Sequence, residues 1–295
     1  MSVIVPVDYQ WTTYLHDHRI KQLARVMDRS LFEGEGLGGG DPVIFFLILT
    51  TIVYYLAWKK GERSRWYIWR PHLGFILTSG LACSMMLVHS LKWVMGRARP
   101  SEVLSGKLMF TDWFEFGPHY IAEGIYRGSF PSGHTAQAFV LVAVVYALVA
   151  TPKTGRGLKM WGVAWGIFSV AYAVVMGLSR CMALEHWFSD VAGSIILSAL
   201  LMQFIYQYLL NLPAQISFYK ANGRYPETPP AWELHLCIYI VGTLIGAMAC
   251  VMGIRAVWLR EATIFYSLIP VGLACTWLFS FLLRRLHRSV FREIG

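Results

Sequence analysis

Long apolar stretches separated by short polar loops make up most of the chain. About 20 mostly apolar residues are needed to cross a bilayer as a helix, and seven stretches meet or approach that length. These predicted spans are residues 42–58, 73–96, 134–150, 160–178, 187–210, 234–253 and 263–283. The pattern predicts an all-α, polytopic helical membrane protein.

The polar segments divide the chain further. Residues 1–41 are too polar to span, and their stretch 14–27 has the amphipathic pattern of a helix lying on the membrane surface. The sequence GEGLGGGDP (34–42) predicts a flexible lead-in to the first span. The remaining predicted parts are a transmembrane core (42–210), a cytoplasmic loop (211–233), and two additional transmembrane helices with a basic tail (234–295).

Composition excludes a soluble globular domain, because 56% of the 295 residues are hydrophobic and only 15% are charged. The net charge of +9 is spread through short loops, without the basic face and interleaved aromatics of a nucleic-acid groove. No nucleic-acid partner is therefore expected. The five cysteines form no CxxC, which indicates neither a disulfide framework nor a zinc site.

The basic loops predict the orientation in the membrane. Loops 59–70 and 151–159 carry five and three Lys or Arg residues, and the tail 284–295 carries four. Alternating spans place all three on one side, which the positive-inside rule makes cytoplasmic. Residues 97–132 and the turn around Arg180 then face outward. The N-terminal segment also falls outside, although it carries four basic residues.

A first polar motif, KWVMGRARP, begins at Lys92 near the end of the second span. Lys92 and Arg99 are seven residues apart, so they share a face if the helix continues. Gly96 leaves room for a ligand between them, and Pro100 turns the chain. The motif predicts two cations aimed at one place. The alternative is a pair of interfacial anchors whose charges extend to the headgroups.

A second motif, FPSGHT (130–135), lies where the third span begins. Pro131 and Ser132 favour a helix start. Gly133 lets backbone amides approach a ligand closely, and amides at a helix N-terminus bind phosphate well. His134 would lie beside the bound group. The alternative is an ordinary helix cap followed by an interfacial histidine.

A third motif, SRCMALEHWFSD (179–190), places charges between two apolar spans. His186 and Asp190 are neighbours on one helix face. A carboxylate that accepts a hydrogen bond from one ring nitrogen fixes the tautomer and leaves the other nitrogen free to attack. Arg180 offers a planar fork suited to phosphate oxygens. The alternative is a structural His–Asp pair at a helix start.

All three motifs lie on the same predicted side of the membrane, which three unrelated structural features would not require. Their cations, helix amides, two histidines and aspartate are what phosphoryl transfer needs: positive clamps, a nucleophile and an acid for the leaving oxygen. No carboxylate cluster with metal-ligand spacing accompanies them. Neither a metal nor another cofactor is therefore expected.

The motifs resemble the signature K-x6-RP, PSGH and SR-x5-H-x3-D of the type 2 phosphatidic acid phosphatase superfamily, the lipid phosphate phosphatases. Every defining position is present, and the resemblance covers residues 42–210, which it implies are the catalytic core. It implies that His186 attacks phosphorus to form a phosphohistidine, that Asp190 orients His186, and that His134 protonates the leaving oxygen. It assigns phosphate binding to Lys92, Arg99, Ser132, Gly133 and Arg180.

The same resemblance implies a substrate held in the bilayer. Phosphatidic acid, phosphatidylglycerophosphate, undecaprenyl pyrophosphate and lipid A phosphates all fit. It implies a bacterial inner membrane with the site facing the periplasm, which agrees with the basic loops. The family core usually has six helices, whereas five spans precede residue 211, and the N-terminal amphipathic segment is a candidate for the sixth. The sequence leaves the role of residues 211–295 and the oligomeric state open.

Three other functions fit part of the pattern. A lipid phosphotransferase would use the same phosphohistidine but pass the phosphoryl group to another lipid. A vanadate-dependent haloperoxidase would use a similar anion pocket, although those relatives are soluble. A channel, transporter or inactive scaffold would also carry membrane charges, but here the charges cluster at span ends instead of lining a path.

The loop 101–130 is rich in aromatic residues and precedes the second motif. Trp113, Phe114 and Phe116 lead to two hypotheses. One is an interfacial aromatic belt, the commoner role at this depth. The other is a lid or acyl-chain wall over the site.

Overall fold

Helices are the only regular secondary structure in the part of the chain that the computed structural model describes, residues 4–31, 34, 36–112, 128–152, 154–229 and 232–291. The α-helices are α1 (Ile4–Asp17), α2 (Lys21–Asp28), α3 (Asp41–Lys60), α4 (Arg70–Gly80), α5 (Val88–Met95), α6 (Pro100–Leu104), α7 (Gly133–Phe139), α8 (Ala143–Ala150), α9 (Arg156–Met182), α10 (Phe188–Phe204), α11 (Leu212–Asn222), α12 (Trp232–Trp258) and α13 (Leu268–Val290). The all-α prediction is confirmed.

Seven helical segments of the described chain are long and apolar enough to cross a membrane, which confirms the seven predicted spans. A helix suits this environment because its backbone amides and carbonyls are satisfied within the segment. The segments are Asp41–Arg63, Tyr67–Leu104, Gly133–Ala150, Arg156–Met182, Phe188–Leu209, Trp232–Trp258 and Thr263–Val290. The chain is a polytopic helical membrane protein.

Two of the spans contain π-helical segments. Leu81–Leu87 joins α4 to α5, and Ile205–Leu209 continues the fifth span after α10. A π segment widens the helix locally and often marks a functional position. Both segments contribute side chains to the wall of the same cavity, which lies between the second span and α12.

The predicted surface helix over residues 14–27 is wrong in its extent. Two helices, α1 and α2, occupy this region with a short turn between them. At the end of α1, His18 Nδ1 lies 2.9 Å from Tyr14 O, and Arg19 Nη1 donates to His16 O at 3.1 Å. These side chains satisfy carbonyls that a continuing helix would use. α1 packs on α9 and α10, and α2 packs on α9, so both helices lie against the protein.

The end of the predicted flexible lead-in is held in place by Asp41, the first residue of α3. Its fully buried carboxylate accepts hydrogen bonds from Ser30 Oγ at 2.8 Å, Leu31 N at 2.9 Å and Gly38 N at 2.7 Å. A buried carboxylate needs such donors to offset the loss of its hydration. The entry into the first span is therefore fixed where flexibility was expected.

The two additional C-terminal helices, α12 and α13, pack as an antiparallel pair with glycines at their contact. A Cβ on Gly246 would lie 2.8 Å from Gly272 O, and a Cβ on Gly272 would lie 2.5 Å from Gly246 O. Small residues let transmembrane backbones approach this closely. α12 also packs on α4, α5 and the π segment between them, which attaches the pair to the core.

Gly246→Leu is expected to separate this helix pair, because even a Cβ at this position would lie 2.6 Å from Thr276 N. Overpacking of this kind costs about 1–3 kcal/mol. The midpoint of thermal unfolding in detergent should fall. Gly157→Leu is the matched control, since nothing lies within 4 Å of its Cβ position. Equal midpoints for the two variants would contradict the close contact.

Candidate active site

The ends of four spans bring the three polar motifs together. Ser129 N donates to Arg97 O at 2.8 Å, which joins the first motif to the residue preceding the second. Ser132 N donates to Asp190 O at 3.4 Å, which joins the second motif to the third. Arg97 Nη1 donates to Asp190 Oδ1 at 2.5 Å, which joins the first motif to the third. The three motifs therefore form one site at one end of the bundle.

The expectation that Lys92 and Arg99 share one helix face is wrong. α5 ends one residue before Gly96, which adopts the left-handed conformation with φ 58°. Residues 97–99 are not helical. Pro100 begins α6 instead of ending a helix, because proline suits the first helical turn. Gly96 therefore serves as a helix C-cap, a position that favours glycine.

His186 lies between α9 and α10 with only 3% of its surface exposed. Burial lowers the pKa of its imidazole to about 3, and the charges of Lys92 and Arg180 act in the same direction, against the effect of Asp190. The ring is therefore neutral near pH 7, as a nucleophile requires. Its Nδ1 lies 3.5 Å from Asp190 Oδ2, the outer limit of a hydrogen bond, and has no closer partner in the described residues.

Acid is expected to destabilise the protein partly through His186. Between pH 6.5, the ordinary pKa of histidine, and about pH 3, the imidazole binds a proton in the unfolded chain but not in the folded one. The free energy of unfolding therefore decreases as the pH is lowered through this range. His186→Gln should therefore lose less stability than the wild type on acidification to about pH 5, measured as the thermal midpoint in detergent. Replacement of the exposed His18 by Gln should leave the wild-type loss unchanged. If the thermal midpoint of His186→Gln fell on acidification as much as that of the wild type, the result would contradict a buried, neutral His186.

Asp190 is fully buried near the start of α10, and both of its carboxylate oxygens are engaged. Oδ1 accepts from Arg97 Nη1 at 2.5 Å, and Oδ2 accepts from the Trp187 amide at 2.8 Å. The second bond caps α10, because a carboxylate at the third helical position satisfies an amide at the helix start. Asp190 thus has the structural role of a cap and also faces His186.

Arg97 is fully buried at the centre of the site, although its position in the first motif predicts no role for it. Besides Asp190, its Nη1 donates to Ser189 Oγ at 2.8 Å, its Nη2 to Asp8 Oδ2 at 2.8 Å, and its Nε to Thr111 O at 3.0 Å. The sequence does contain one indication of this role: Arg97 is a third cation near the end of an apolar span, where a charged side chain usually has a partner.

Each of the three predicted phosphate-binding cations already has a partner. Lys92 is buried, and its Nζ donates to a backbone oxygen at 3.1 Å. Arg99 pairs with Glu185, and Arg180 pairs with Asp28 of α2. In the described residues, the buried Nε of Arg180 has no hydrogen-bond partner. A carboxylate oxygen therefore pairs with Nη1 of each arginine, a donor that a phosphate oxygen would also use.

The second motif forms the start of α7. Ser132 precedes the helix and is fully buried, and its Oγ accepts from Thr135 Oγ1 at 2.9 Å. Gly133 is the first helical residue, and a Cβ there would lie 3.3 Å from Val88 Cγ1. His134 follows it and is partly exposed. The structure thus places a helix start and an accessible imidazole beside the third motif.

The described residues hold no group of three or more His, Cys, Asp or Glu side chains placed to bind a metal ion. Independence from metals and cofactors stays a prediction. Trp113, Phe114 and Phe116 lie outside the described residues, so the hypotheses of an aromatic belt and of a lid are both untested.

Comparison with known families places the site in context. Residues 73–213, which contain all three motifs, match the family model described as PAP2 superfamily. Comparison with curated proteins and with solved structures finds no match. The family match confirms the resemblance carried by the motifs: the chain belongs to the PAP2 superfamily, whose members are generally phosphatases.

Proposed function

We propose that this protein hydrolyses a phosphate from a membrane lipid through a phosphohistidine on His186. The observation that carries the proposal is a buried, neutral imidazole with a buried carboxylate behind Nδ1 and the positive charges of Lys92 and Arg180 close enough to lower its pKa. This arrangement supplies a nucleophile and compensates the charge of a phosphoryl group.

The reaction has two steps. His186 Nε2 attacks phosphorus, the bond from phosphorus to the lipid oxygen breaks, and His134 donates a proton to that oxygen. Water then attacks phosphorus, His134 accepts a proton from the water, the bond from phosphorus to Nε2 breaks, and inorganic phosphate leaves. Throughout, the phosphoryl oxygens are bound by the three cations and by two groups of the second motif: Lys92, Arg99, Arg180, Ser132 and the Gly133 amide. Arg99 and Arg180 exchange their carboxylate partners for phosphate oxygens when the substrate binds.

Two adjoining cavities between the second span and α12 support a lipid substrate. Their volumes are about 420 and 440 Å³, and they share Met86 and Leu244 among their mainly apolar lining residues. Both π segments border the first cavity. His89 and Trp93 border the second, within one helical turn of Lys92. A lipid chain in this space would place its headgroup beside the site.

Leu244→Trp is expected to fill the shared part of the two cavities. The KM for a long-chain lipid phosphate should rise about tenfold, or roughly 1.4 kcal/mol of binding, because the chain loses apolar contact. Turnover of a short-chain soluble phosphate should be unchanged. Ile238→Trp on the same helix is the control, since Ile238 is exposed and lines neither cavity. Equal KM increases for both substrates would reject the chain path.

The family resemblance suggests a bacterial inner membrane with the site facing the periplasm, and the basic loops support the outward orientation of the site. The contacts of Asp8 with Ser189 and of Asp28 with Arg180 place the N-terminal helices at the site end of the bundle. Labelling of a single cysteine introduced at exposed Lys107, in a variant without the native cysteines, tests this orientation. A membrane-impermeant reagent is expected to label this cysteine in whole cells. Labelling only after lysis would indicate the opposite orientation.

The direct test of the function is a phosphate-release assay on purified protein with the four candidate lipid classes in detergent. Phosphate should be released from at least one class, with a chelator present and with His186→Ala as the blank. If the substrate carries a labelled phosphoryl group and the label is found on another lipid instead of in inorganic phosphate, the protein is a phosphotransferase. No product of either kind from any lipid would reject the proposed function.

A further inference from the structure

Four buried side chains form a chain behind the reacting imidazole. Asp8 Oδ2 accepts from Arg97 Nη2 at 2.8 Å, Arg97 Nη1 donates to Asp190 Oδ1 at 2.5 Å, and Asp190 Oδ2 lies 3.5 Å from His186 Nδ1. The exposed fractions of the four residues are between 0% and 3%. Their charges alternate from a carboxylate to a guanidinium to a carboxylate, and the chain ends at a neutral ring.

The first member of this chain comes from α1, outside the residues that match the superfamily. Asp8 Oδ1 accepts from Ser189 N at 2.7 Å, and Oδ2 also accepts from Ser189 Oγ at 2.6 Å. Ser189 directly precedes Asp190. Asp8 therefore holds both the guanidinium bound to Asp190 and the backbone that carries Asp190.

The surroundings of Arg97 make these bonds consequential. The rings of Phe110 and Trp187 lie 5.6 and 5.8 Å from its guanidinium carbon, and Nε is bonded to a backbone carbonyl. A guanidinium enclosed in this way cannot exchange a lost partner for water, and an unpaired buried charge is strongly unfavourable. The planar fork of arginine also fixes the direction of both carboxylates, which a lysine ammonium would not do.

The charge balance indicates what the chain does. Two carboxylates and one guanidinium leave a net charge of −1 beside His186. When Nε2 bonds to phosphorus and Nδ1 keeps its proton, the imidazole becomes cationic, and a net negative neighbour stabilises that state. Without Asp8 the remaining pair of Arg97 and Asp190 would have no net charge, and it would oppose the positive charges of Lys92 and Arg180 on the ring less strongly.

We propose that Asp8 and Arg97 are positioning residues of the active site: they fix Asp190 against His186 Nδ1 and supply the charge balance that favours the phosphohistidine. This inference rests on the proposed function. It gives the N-terminal helix a role in the chemistry, beyond packing against the bundle.

The competing explanation is that Asp8 merely anchors α1, and a second anchor of the same helix provides the control. His16 Nδ1 lies 2.8 Å from Met182 O at the other end of α1. His16→Ala removes that anchor without touching the chain of four residues. Asp8→Asn removes one charge and keeps the shape of the side chain, so it is the variant most certain to fold. Arg97→Lys keeps the positive charge but removes the planar guanidinium, and Arg97→Gln removes the charge as well. Together they separate the effect of the charge from that of the guanidinium geometry.

The first measurement compares the phosphate-release kinetics of these variants in detergent, together with their thermal midpoints. Loss of a partner that orients a reacting group typically costs about 10- to 100-fold. We expect a kcat decrease of that size for Asp8→Asn, with KM changed less than about twofold, since no substrate contact is lost. Arg97→Lys should fall between wild type and Arg97→Gln. His16→Ala should keep the wild-type kcat at a similarly lowered midpoint. Equal kcat losses in Asp8→Asn and His16→Ala would overturn the inference.

A second measurement does not depend on activity. Nitrogen NMR of histidine-labelled protein should show His186, identified with the His186→Ala variant, as the single neutral tautomer protonated at Nδ1. His16→Ala should retain that tautomer, whereas Asp8→Asn and Arg97→Gln should give a mixture. If wild-type protein releases no phosphate from any lipid, the proposed function is rejected, and the tautomer of His186 alone then tests whether Asp8 and Arg97 position Asp190 against it. An unchanged tautomer in both charge variants would overturn the inference.

Discussion

His186→Ala is expected to abolish lipid phosphate turnover, with a decrease in kcat of at least about 10⁴-fold, because the proposed covalent intermediate forms on the imidazole that this change removes. The structure gives the reason for so large an effect. The imidazole is buried and neutral, and its Nδ1 side faces a carboxylate that is itself fully bonded. Release of labelled phosphate from a lipid, followed over time, measures the loss.

His72→Gln is the matched control for that variant. His72 is also fully buried, but it contacts Thr151 Oγ1 at 3.0 Å, at the opposite end of the second and third spans. Its replacement should lower stability and leave kcat near the wild-type value. Substantial turnover in His186→Ala, or an equal loss in His72→Gln, would remove His186 as the nucleophile.

His134→Ala is expected to lower kcat by about 10²- to 10⁴-fold, the usual contribution of a general acid and base. The loss should depend on the leaving group. A lipid alcohol needs a proton as it leaves, whereas nitrophenolate does not, so nitrophenyl phosphate should still phosphorylate His186 in this variant. Hydrolysis of the phosphohistidine should then be slow, and labelled protein should accumulate.

Protein-bound label after quenching in base, where phosphohistidine survives, checks this prediction. The double variant His134→Ala/His186→Ala is the control and should carry none. Label in the double variant would place the intermediate on another residue. A His134→Ala variant that fails equally with both leaving groups, and stays unlabelled, would give His134 a structural role only.

The spans were predictable because hydrocarbon leaves few alternatives to a long apolar helix. The site was partly predictable for a local reason: each motif has a spacing or composition that indicates phosphate chemistry. Their convergence followed from topology, since alternating spans place the motifs on one side. The structure confirms the seven spans, and the contacts of Arg97 and Ser132 with Asp190 join the motifs.

The helix end at Gly96 and the role of Arg97 could not be predicted from the same patterns. A spacing of seven residues indicates a shared face only if the helix continues, and a glycine that can adopt the left-handed conformation ends it. The bond from Arg97 to Asp8 joins residues 89 positions apart, and no periodicity reports such a contact. The amphipathic pattern of residues 14–27 did not indicate that two helices would form in this region or that both would pack against α9.

The carboxylates of Glu185 and Asp28 on Arg99 and Arg180 have a consequence for which ligands the site accepts. A pocket with bare cations would attract every anionic headgroup that diffuses past it. Acidic side chains of the protein compete with such weakly bound anions. In the proposed reaction, the ligand that displaces them is one that also contacts Lys92 and His186. The same side chains return as the product departs, which should speed its exit and keep inorganic phosphate a poor inhibitor.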